Sequence, residues 1–377
     1  MRSTATGVLP TIGESSRQVV RLLLRHGPMA RSELARRLSL SRGALTKIAT
    51  PLLEIGLLRE GDGLVRTSPG RRSHPLSVDP DWCSFAGVKL TGQSCHVVVT
   101  DLSGAVTDHA EASLPGTDVD AVCTVILDQV NHLTPHRRPA RIGVGVAGAV
   151  LRARGHIVDS PFLGWRDLDF GELLAGRSAC PVSVENDLRA LTVAQHWSAG
   201  PVASLATVTF GAGVGCGLIL DHRLLVGPGG VSGAVNHLRI RDDGPICHRG
   251  HRGCVSGFAT TAAILAAVHD HAEVRDLAAV ADLAARGDRV ARAVLADAGY
   301  AMGCLIGTIC NVTNPERVVL AGEGAALFDL LDAPLHRGIA EVLHPTVPPV
   351  RLDVRPLPFT EWARGAALVA IDDHLTR

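Results

Sequence analysis

Residues 41–47 (Ser41-Arg42-Gly43-Ala44-Leu45-Thr46-Lys47) place two cations and two hydroxyls within two helical turns. That chemistry suits the edge of a DNA duplex. An arginine reaches guanine O6 and N7 bidentately, and small residues beside it let the backbone approach the groove. Ser41, Arg42, Ala44, Thr46 and Lys47 are therefore candidate DNA contacts. A second cationic segment, Ser68-Pro69-Gly70-Arg71-Arg72, suits insertion into a minor groove or a clamp on phosphates. Arg66, Arg71 and Arg72 complete the DNA-facing set.

Such residues need a scaffold that presents one helix by its N-terminal end. In residues 14–26, Val19, Val20, Leu22, Leu23 and Leu24 give a helix a broad apolar face, and Gly27-Pro28 stops it. Residues 31–38 form a second helix with Leu34, Ala35 and Leu38 inward, although Ala30 is a weak cap. Ser41 is a good N-cap for a third helix from Arg42 to about Ile55, in which Pro51 removes one backbone hydrogen bond. Between Leu57 and Arg66, Gly61-Asp62-Gly63 signals a hairpin between short apolar strands. Three helices and a wing make a winged helix-turn-helix.

Charge is sorted along the chain accordingly. The 377 residues carry no net charge, but residues 1–80 hold 13 Lys and Arg against 6 Asp and Glu, a net of +7 balanced by −7 in the remainder. A basic head on an acidic body suits a polyanion-binding module joined to something else. Hydrophobic residues make up 46%, enough for packed cores and against disorder, and Gly and Pro are not in repeats. Lys47 and Lys89 are the only lysines. An odd number of cysteines, nine, and an N-terminus without an apolar signal core suggest a reduced, cytoplasmic protein. The uncharged stretches 199–220 and 298–315 contain glycines, threonines and asparagines, and fit buried elements of a soluble domain better than lipid-facing helices, so no membrane partner is expected.

From residue 82 the pattern becomes α/β. Phe85–Leu90, His96–Asp101, Ala105–His109, Arg141–Val146, Pro181–Glu185 and Ser204–Thr209 are predicted strands, and Ala121–Leu133, Ala291–Thr313 and Glu361–His374 predicted helices. Glycine-rich turns at strand ends are where such folds bind ligands.

The segments IGVGVAGAV (142–150), LGWRDL (163–168), VENDLRAL (184–191), FGAGVGCGLILDHRLLVGPGGVSGAVNH (210–237), CHRGHRGC (247–254) and VVLAGEG (318–324) carry a resemblance. In that order, behind a DNA-binding head, they make the chain similar to regulators of the ROK family (repressors, open reading frames and sugar kinases). The resemblance implies an N-terminal winged helix-turn-helix over about 1–80. An actin-like, hexokinase-like two-lobed domain would follow over 81–377. Its first lobe would span about 81–190 plus a returning helix 361–377, and its second about 191–360.

The resemblance also implies roles. Asp187, after Asn186, stands where the family's kinases keep the general base that takes a proton from the sugar hydroxyl, and Asn186 would bind the sugar. The kinase phosphate loop D-x-G-G-T reads KLTGQ here, so Lys89 replaces its Asp, Thr91 its first Gly and Gln93 its Thr. Lys89 remains able to attract an anion. At sugar-binding glutamates the chain has Ala234 and Ser256, while His237 remains. The family's four zinc ligands fall at His237, Cys247, Arg249 and Cys254. Guanidinium is no ligand, so the loop either recruits His248 or His251, completes its shell with water, or is metal-free.

The expected function is a DNA-binding transcriptional regulator, a repressor of carbohydrate-related genes, whose kinase-derived sensor has lost catalysis. ATP is not expected as a cofactor. A homodimer or tetramer would read a palindromic operator, and a sugar or sugar derivative held between the lobes would alter the spacing of the heads. Two alternatives compete: an active sugar kinase with a regulatory head, and a constitutive DNA binder with no inducer.

Overall fold

The computed structural model describes residues 13–61 and 74–376. In the head, α1 (Glu14–His26), β1 (Met29–Ala30), α2 (Arg31–Arg37), α3 (Arg42–Glu54), β2 (Leu58–Glu60) and β3 (Pro75–Val78) follow in order. Val19, Val20, Leu23, Leu34, Leu45, Ala49 and Leu52 bury the apolar faces of the three helices. The helix α3 starts where Ser41 Oγ accepts the Ala44 amide at 3.1 Å and continues through Pro51 to Glu54.

The wing differs from the sequence expectation. The strand returning against β2 is β3, with Leu58 opposite Val78 and Glu60 opposite Leu76. Residues 63–66, where the sequence places the second strand of the hairpin, lie outside the described residues. β3 lies at the centre of a sheet ordered β1-β3-β2, and its Leu76 is fully buried. Apart from Gly61, the expected hairpin at Gly61-Asp62-Gly63 and the Arg71-Arg72 segment lie outside the described residues.

The chain continues with β4 (Ser84–Leu90), β5 (Ser94–Asp101), β6 (Val106–Ser113), α4 (Val119–Leu133), β7 (Ile142–Val146), β8 (Ala149–Leu151), β9 (His156–Ser160), β10 (Trp165–Leu168), α5 (Phe170–Ser178), β11 (Val182–Asn186) and α6 (Asp187–Ser198). Next come β12 (Leu205–Thr209), β13 (Gly215–Leu220), β14 (Arg223–Leu224), α7 (Val255–Ala259), α8 (Thr261–His269), α9 (Leu277–Ala285), α10 (Arg289–Thr313), β15 (Arg317–Ala321), α11 (Phe328–Val342), β16 (Leu352–Val354) and α12 (Phe359–Thr376).

Two compact units result. One comprises residues up to 190, 197–201 and 359–377; the other comprises 191–196 and 202–358. The first is built on a sheet ordered β11-β7-β4-β5-β6, in which β11, β7 and β4 run parallel and β5 and β6 close it antiparallel. The helix α12 lies directly on β4 and β7. A Cβ on Gly87 would fall 2.0 Å from the Ala363 carbonyl oxygen, and one on Gly143 1.9 Å from that of Ala366, so glycine is what lets the backbones approach. The second unit holds a sheet ordered β14-β13-β12-β15-β16, covered by α10 and its neighbours. By length and composition α10 could cross a membrane, but Leu295, Ala298, Met302, Leu305, Ile306 and Ile309 on it are buried in that unit's core.

Candidate functional site

The first candidate face is the N-terminal half of α3. Arg42, Thr46 and Lys47 are exposed there, and Ala44 is half-buried. Ser41 is exposed, but its hydroxyl is engaged as the helix cap. The head's other cations are largely committed: Arg17 pairs with Glu14, Arg21 with Asp372, Arg31 with Glu60, Arg36 and Arg37 with Glu33, and Arg59 with Asp79. Arg42 and Lys47 form no ion pair among the described residues. Their charge faces outward on a helix edge whose Gly43 has open space around it. Arg66, Arg71 and Arg72 lie outside the described residues.

The second candidate is the corner where β11 passes into α6. Asn186 closes the strand and Asp187 opens the helix, at the carboxyl end of a parallel strand, where α/β folds place ligands. Asn186 Nδ2 donates to the Gly148 carbonyl at 2.9 Å, and Asn186 Oδ1 accepts the Arg189 amide at 3.0 Å. Lys89 on β4 is buried, and its ammonium donates to Asp187 Oδ2. It also lies 5.1 Å from the centre of the Trp362 ring. Gly145 stands between Lys89 and Glu185 in the sheet register and puts no side chain in the way of this pairing.

The availability of Lys89 to an anion is thus corrected: its partner is Asp187. Both Asp187 carboxylate oxygens are thus engaged within the chain: Oδ2 accepts from the Lys89 ammonium and Oδ1 accepts the Leu188 amide at 2.8 Å. The neighbouring turn is filled as well. Thr91 Oγ1 accepts the amides of Gln93 at 3.1 Å and Ser94 at 2.8 Å, the class of donor a phosphate loop offers to its ligand. The sequence reading noted Thr91 only as a lost glycine. Its T-x-x-S spacing was the available signal for a side-chain-closed turn. In the second unit, a Cβ on Gly211 of the other glycine-rich stretch would fall 3.3 Å from Glu323 Oε2. A carboxylate there opposes a bound phosphate.

The third candidate is the loop preceding α7. His237 Nδ1 lies 3.6 Å from both Cys247 Sγ and Cys254 Sγ, and His251 Nδ1 lies 3.8 Å from Cys247 Sγ. The ligand atoms of His237, Cys247, His251 and Cys254 are all within 4.8 Å of one another. Around a tetrahedral zinc, sulfur and nitrogen ligands sit about 3.6 Å apart. The donor set therefore fits, with the widest gap about 1 Å too long and within reach of a rotamer change. Of the two spare imidazoles, His251 enters the group and His248 does not. Arg249 contributes its backbone amide, which donates to Cys247 Sγ at 3.4 Å.

The electrostatics suit a metal. Burial, followed by the charges of His251, His248 and Arg249, pushes His237 below the usual histidine range and favours the neutral imidazole a metal needs. Burial opposes ionisation of Cys247, but hydrogen bonds from the amides of Arg249 and His251, from the Cys254 thiol and from its own amide together hold the thiol below its usual range. Cys254 is pushed up, first by burial. Nearby, Ala234 has no acceptor to offer, and the buried Ser256 donates its amide to the Asn236 carbonyl at 2.8 Å.

The ROK family profile matches residues 85–372. The chain belongs to the ROK family. It is similar to the putative xylose repressor of Caldicellulosiruptor sp. (strain Rt8B.4), 24% identical over 380 residues that cover 95% of each protein. It is 26% identical over 326 residues to the N-acetylglucosamine repressor of Escherichia coli O6:H1, covering 82% of this chain and 80% of that one. Among solved structures, a ROK family transcriptional regulator described as a homolog of the E. coli MLC protein superposes with a TM-score of 0.81 at 24% identity, over 96% of both chains. The likeness in fold to that regulator spans 96% of the chain, and so takes in the N-terminal head as well as the residues 85–372 that the family profile matches.

Proposed function

We propose that this ROK protein is a sugar-responsive transcriptional repressor that binds operator DNA through α3 and no longer phosphorylates its ligand. The observation that carries the reading is the charge sorting of the head: Arg42 and Lys47 on α3 stay exposed and unpaired among the described residues while neighbouring cations are committed. That edge is the part of a helix-turn-helix that enters the major groove. Arg66, Arg71 and Arg72, outside the described residues, would add contacts to a minor groove or to phosphates. Residues 1–80 serve as the DNA-binding domain and 81–377 as the sensor. The protein acts in the cytoplasm as a symmetric oligomer on a palindromic operator. The xylose and N-acetylglucosamine repressors among its relatives support a monosaccharide or its derivative as effector. Asn186 and His237 would contact it.

Loss of turnover follows from the Lys89–Asp187 pair, the self-closed Thr91 turn and the carboxylate of Glu323. His237, Cys247, His251 and Cys254 would hold zinc as a closed structural site. The metal supplies a crosslink that pins the loop; the chain supplies two thiolates and two neutral imidazoles.

Genomic DNA pull-down with the purified protein at near-physiological salt, followed by sequencing, tests the central reading. A short palindrome beside transport or catabolic genes is expected. Recovery of DNA without any enriched site overturns it, since basic surfaces retain DNA non-specifically. Metal analysis should find one zinc per chain, kept by His248→Ala and Arg249→Ala and lost by His251→Ala.

A further inference from the structure

Beyond the three sites, one group of buried and half-buried charges is used by none of them. It begins at Glu185, one residue before Asn186. Glu185 Oε1 is fully engaged: it accepts the Asn186 amide at 2.7 Å and Arg189 Nε at 2.7 Å. Glu185 Oε2 is buried and has no hydrogen-bond partner among the described residues. Arg152, just beyond β8, faces it with Nε 3.9 Å from Oε2. Arg152 Nη2 bonds instead to two carboxylates of α12, Asp372 at 3.2 Å and Asp373 at 3.0 Å. The Asp372 carboxylate is shared: its other oxygen accepts Arg21 Nη2 of α1 at 3.0 Å. Arg21 also reaches the Thr376 hydroxyl, and Arg17 the Thr376 carbonyl.

We infer that Arg152 is a two-position switch through which the Asn186 corner controls the seating of the DNA-binding head on α12. In the position seen here Arg152 supports Asp372, and Asp372 holds Arg21. In the other, Arg152 turns to Glu185 Oε2, and Arg21 loses the fixed carboxylate it docks on. The orphaned oxygen is what makes the second position accessible, because a buried acceptor without a partner is costly and one side-chain movement satisfies it. The trigger is also in place. Asn186 Nδ2 ties down the Gly148 carbonyl, and Arg189 Nη2 the Val150 carbonyl, so the β8 strand that leads into Arg152 is clamped to the corner. A ligand hydroxyl that claims Asn186 Nδ2 releases the first clamp. The head is held at a second point, where Trp82 Nε1 donates to the Ile55 carbonyl at the end of α3 at 3.2 Å. Loss of Arg21 docking therefore re-aims the head rather than freeing it. This trigger rests on the reading that Asn186 contacts the effector; the link from Arg152 to α1 does not.

The test uses the full chain and has two arms. In the first, hydrogen exchange of α1 is followed without ligand in wild type, Arg21→Gln, Arg152→Gln and the double variant. Arg152→Gln, which touches no residue of α1, is expected to speed α1 exchange about 3–10-fold, and the double variant to be no faster than Arg21→Gln alone. Wild-type protection of α1 in Arg152→Gln, or additive effects in the double variant, overturns the switch. Arg152→Met, which also removes the donor to Asp372 and leaves the Arg21–Asp372 pair itself intact, repeats the arm if Arg152→Gln is poorly folded. In the second arm, D-xylose and N-acetyl-D-glucosamine are titrated with operator DNA. A sugar that releases wild type from the operator should still stabilise Arg152→Gln against heat but fail to release it. Equal release of both proteins overturns the switch. Binding of neither sugar to wild type refutes the assignment of these effectors, and the first arm then decides the switch by itself.

Discussion

The chain has only two lysines, and its two working regions use them in opposite ways. Lys47 stands on α3 with its ammonium exposed and no acidic partner among the described residues. Lys89 is buried at the end of β4 and spends its charge on Asp187. One region keeps its charge exposed to solvent; the other pairs it within the chain, against Asp187. Charge type is written in the sequence, but charge availability is a property of what folds next to it.

Removing either half of the buried pair should break that contrast most strongly. Lys89→Met leaves Asp187 buried without a counter-charge and should cost about 3–5 kcal/mol of unfolding free energy by denaturant titration. The double variant Lys89→Met/Asp187→Leu should recover most of it. A neutral Lys89→Met would show that the buried ion pair contributes nothing to stability.

At the other lysine the effect should fall on binding rather than stability. Arg42→Ala should lower operator affinity by about 1–3 kcal/mol and relax base preference at one position, read by competition binding. Lys47→Ala should weaken all sequences alike and reduce the salt dependence by about one counterion if it contacts phosphate. Unchanged melting temperatures in both would confirm that these cations serve no partner within the chain.

A pH dependence sharpens the comparison at the base of the head. Burial, with the charge of Arg141, pushes His374 on α12 down to about 4, so it is neutral in the folded protein. The unfolded chain gains that proton near pH 6.5 and the folded chain only near 4. Stability is therefore full above about 6.5 and falls as pH drops towards 4, by roughly 2 kcal/mol after allowance for partial solvent contact. Denaturant midpoints across this range should show a slope that His374→Leu reduces.

The smallest expected change is at the helix cap. Ser41→Ala removes the acceptor of the Ala44 amide and should cost about 1 kcal/mol in the head, with Ser41→Gly costing less. Helix fraying in α3, followed by amide exchange, would report it.

The parts legible in the sequence share one property: their signal is local. The helices α1, α2 and α3 each carry their own apolar periodicity and stop signals, and the end of α12 and the body of α10 stood out in the same way. The metal loop was legible as a spacing of cysteines and histidines over eight residues, 247–254, with His237 upstream. Which imidazole faces the thiols was open, because that depends on how the backbone turns at Gly250 and Gly253, both with positive φ, and on the bridges joining Arg239 to Cys254 and Ile246 to Arg252. The pairing of β2 with Pro75–Val78 was not legible, because the strand lies some fifteen residues on and is held by burial of Leu76 rather than by a local turn signal.

By itself, then, the sequence determined the order of the helices, the alternation of strands, the excess of cations in the head and the inventory of groups able to do chemistry. Only the tertiary structure decided how those groups are spent. Lys89 meets Asp187 across 98 positions of chain, and Arg21 meets Asp372 across 351. Such pairings follow from sheet register and from α12 lying on two glycines, and no local pattern encodes them. An electrostatic interaction depends on distance and on the exclusion of water, and folding sets both.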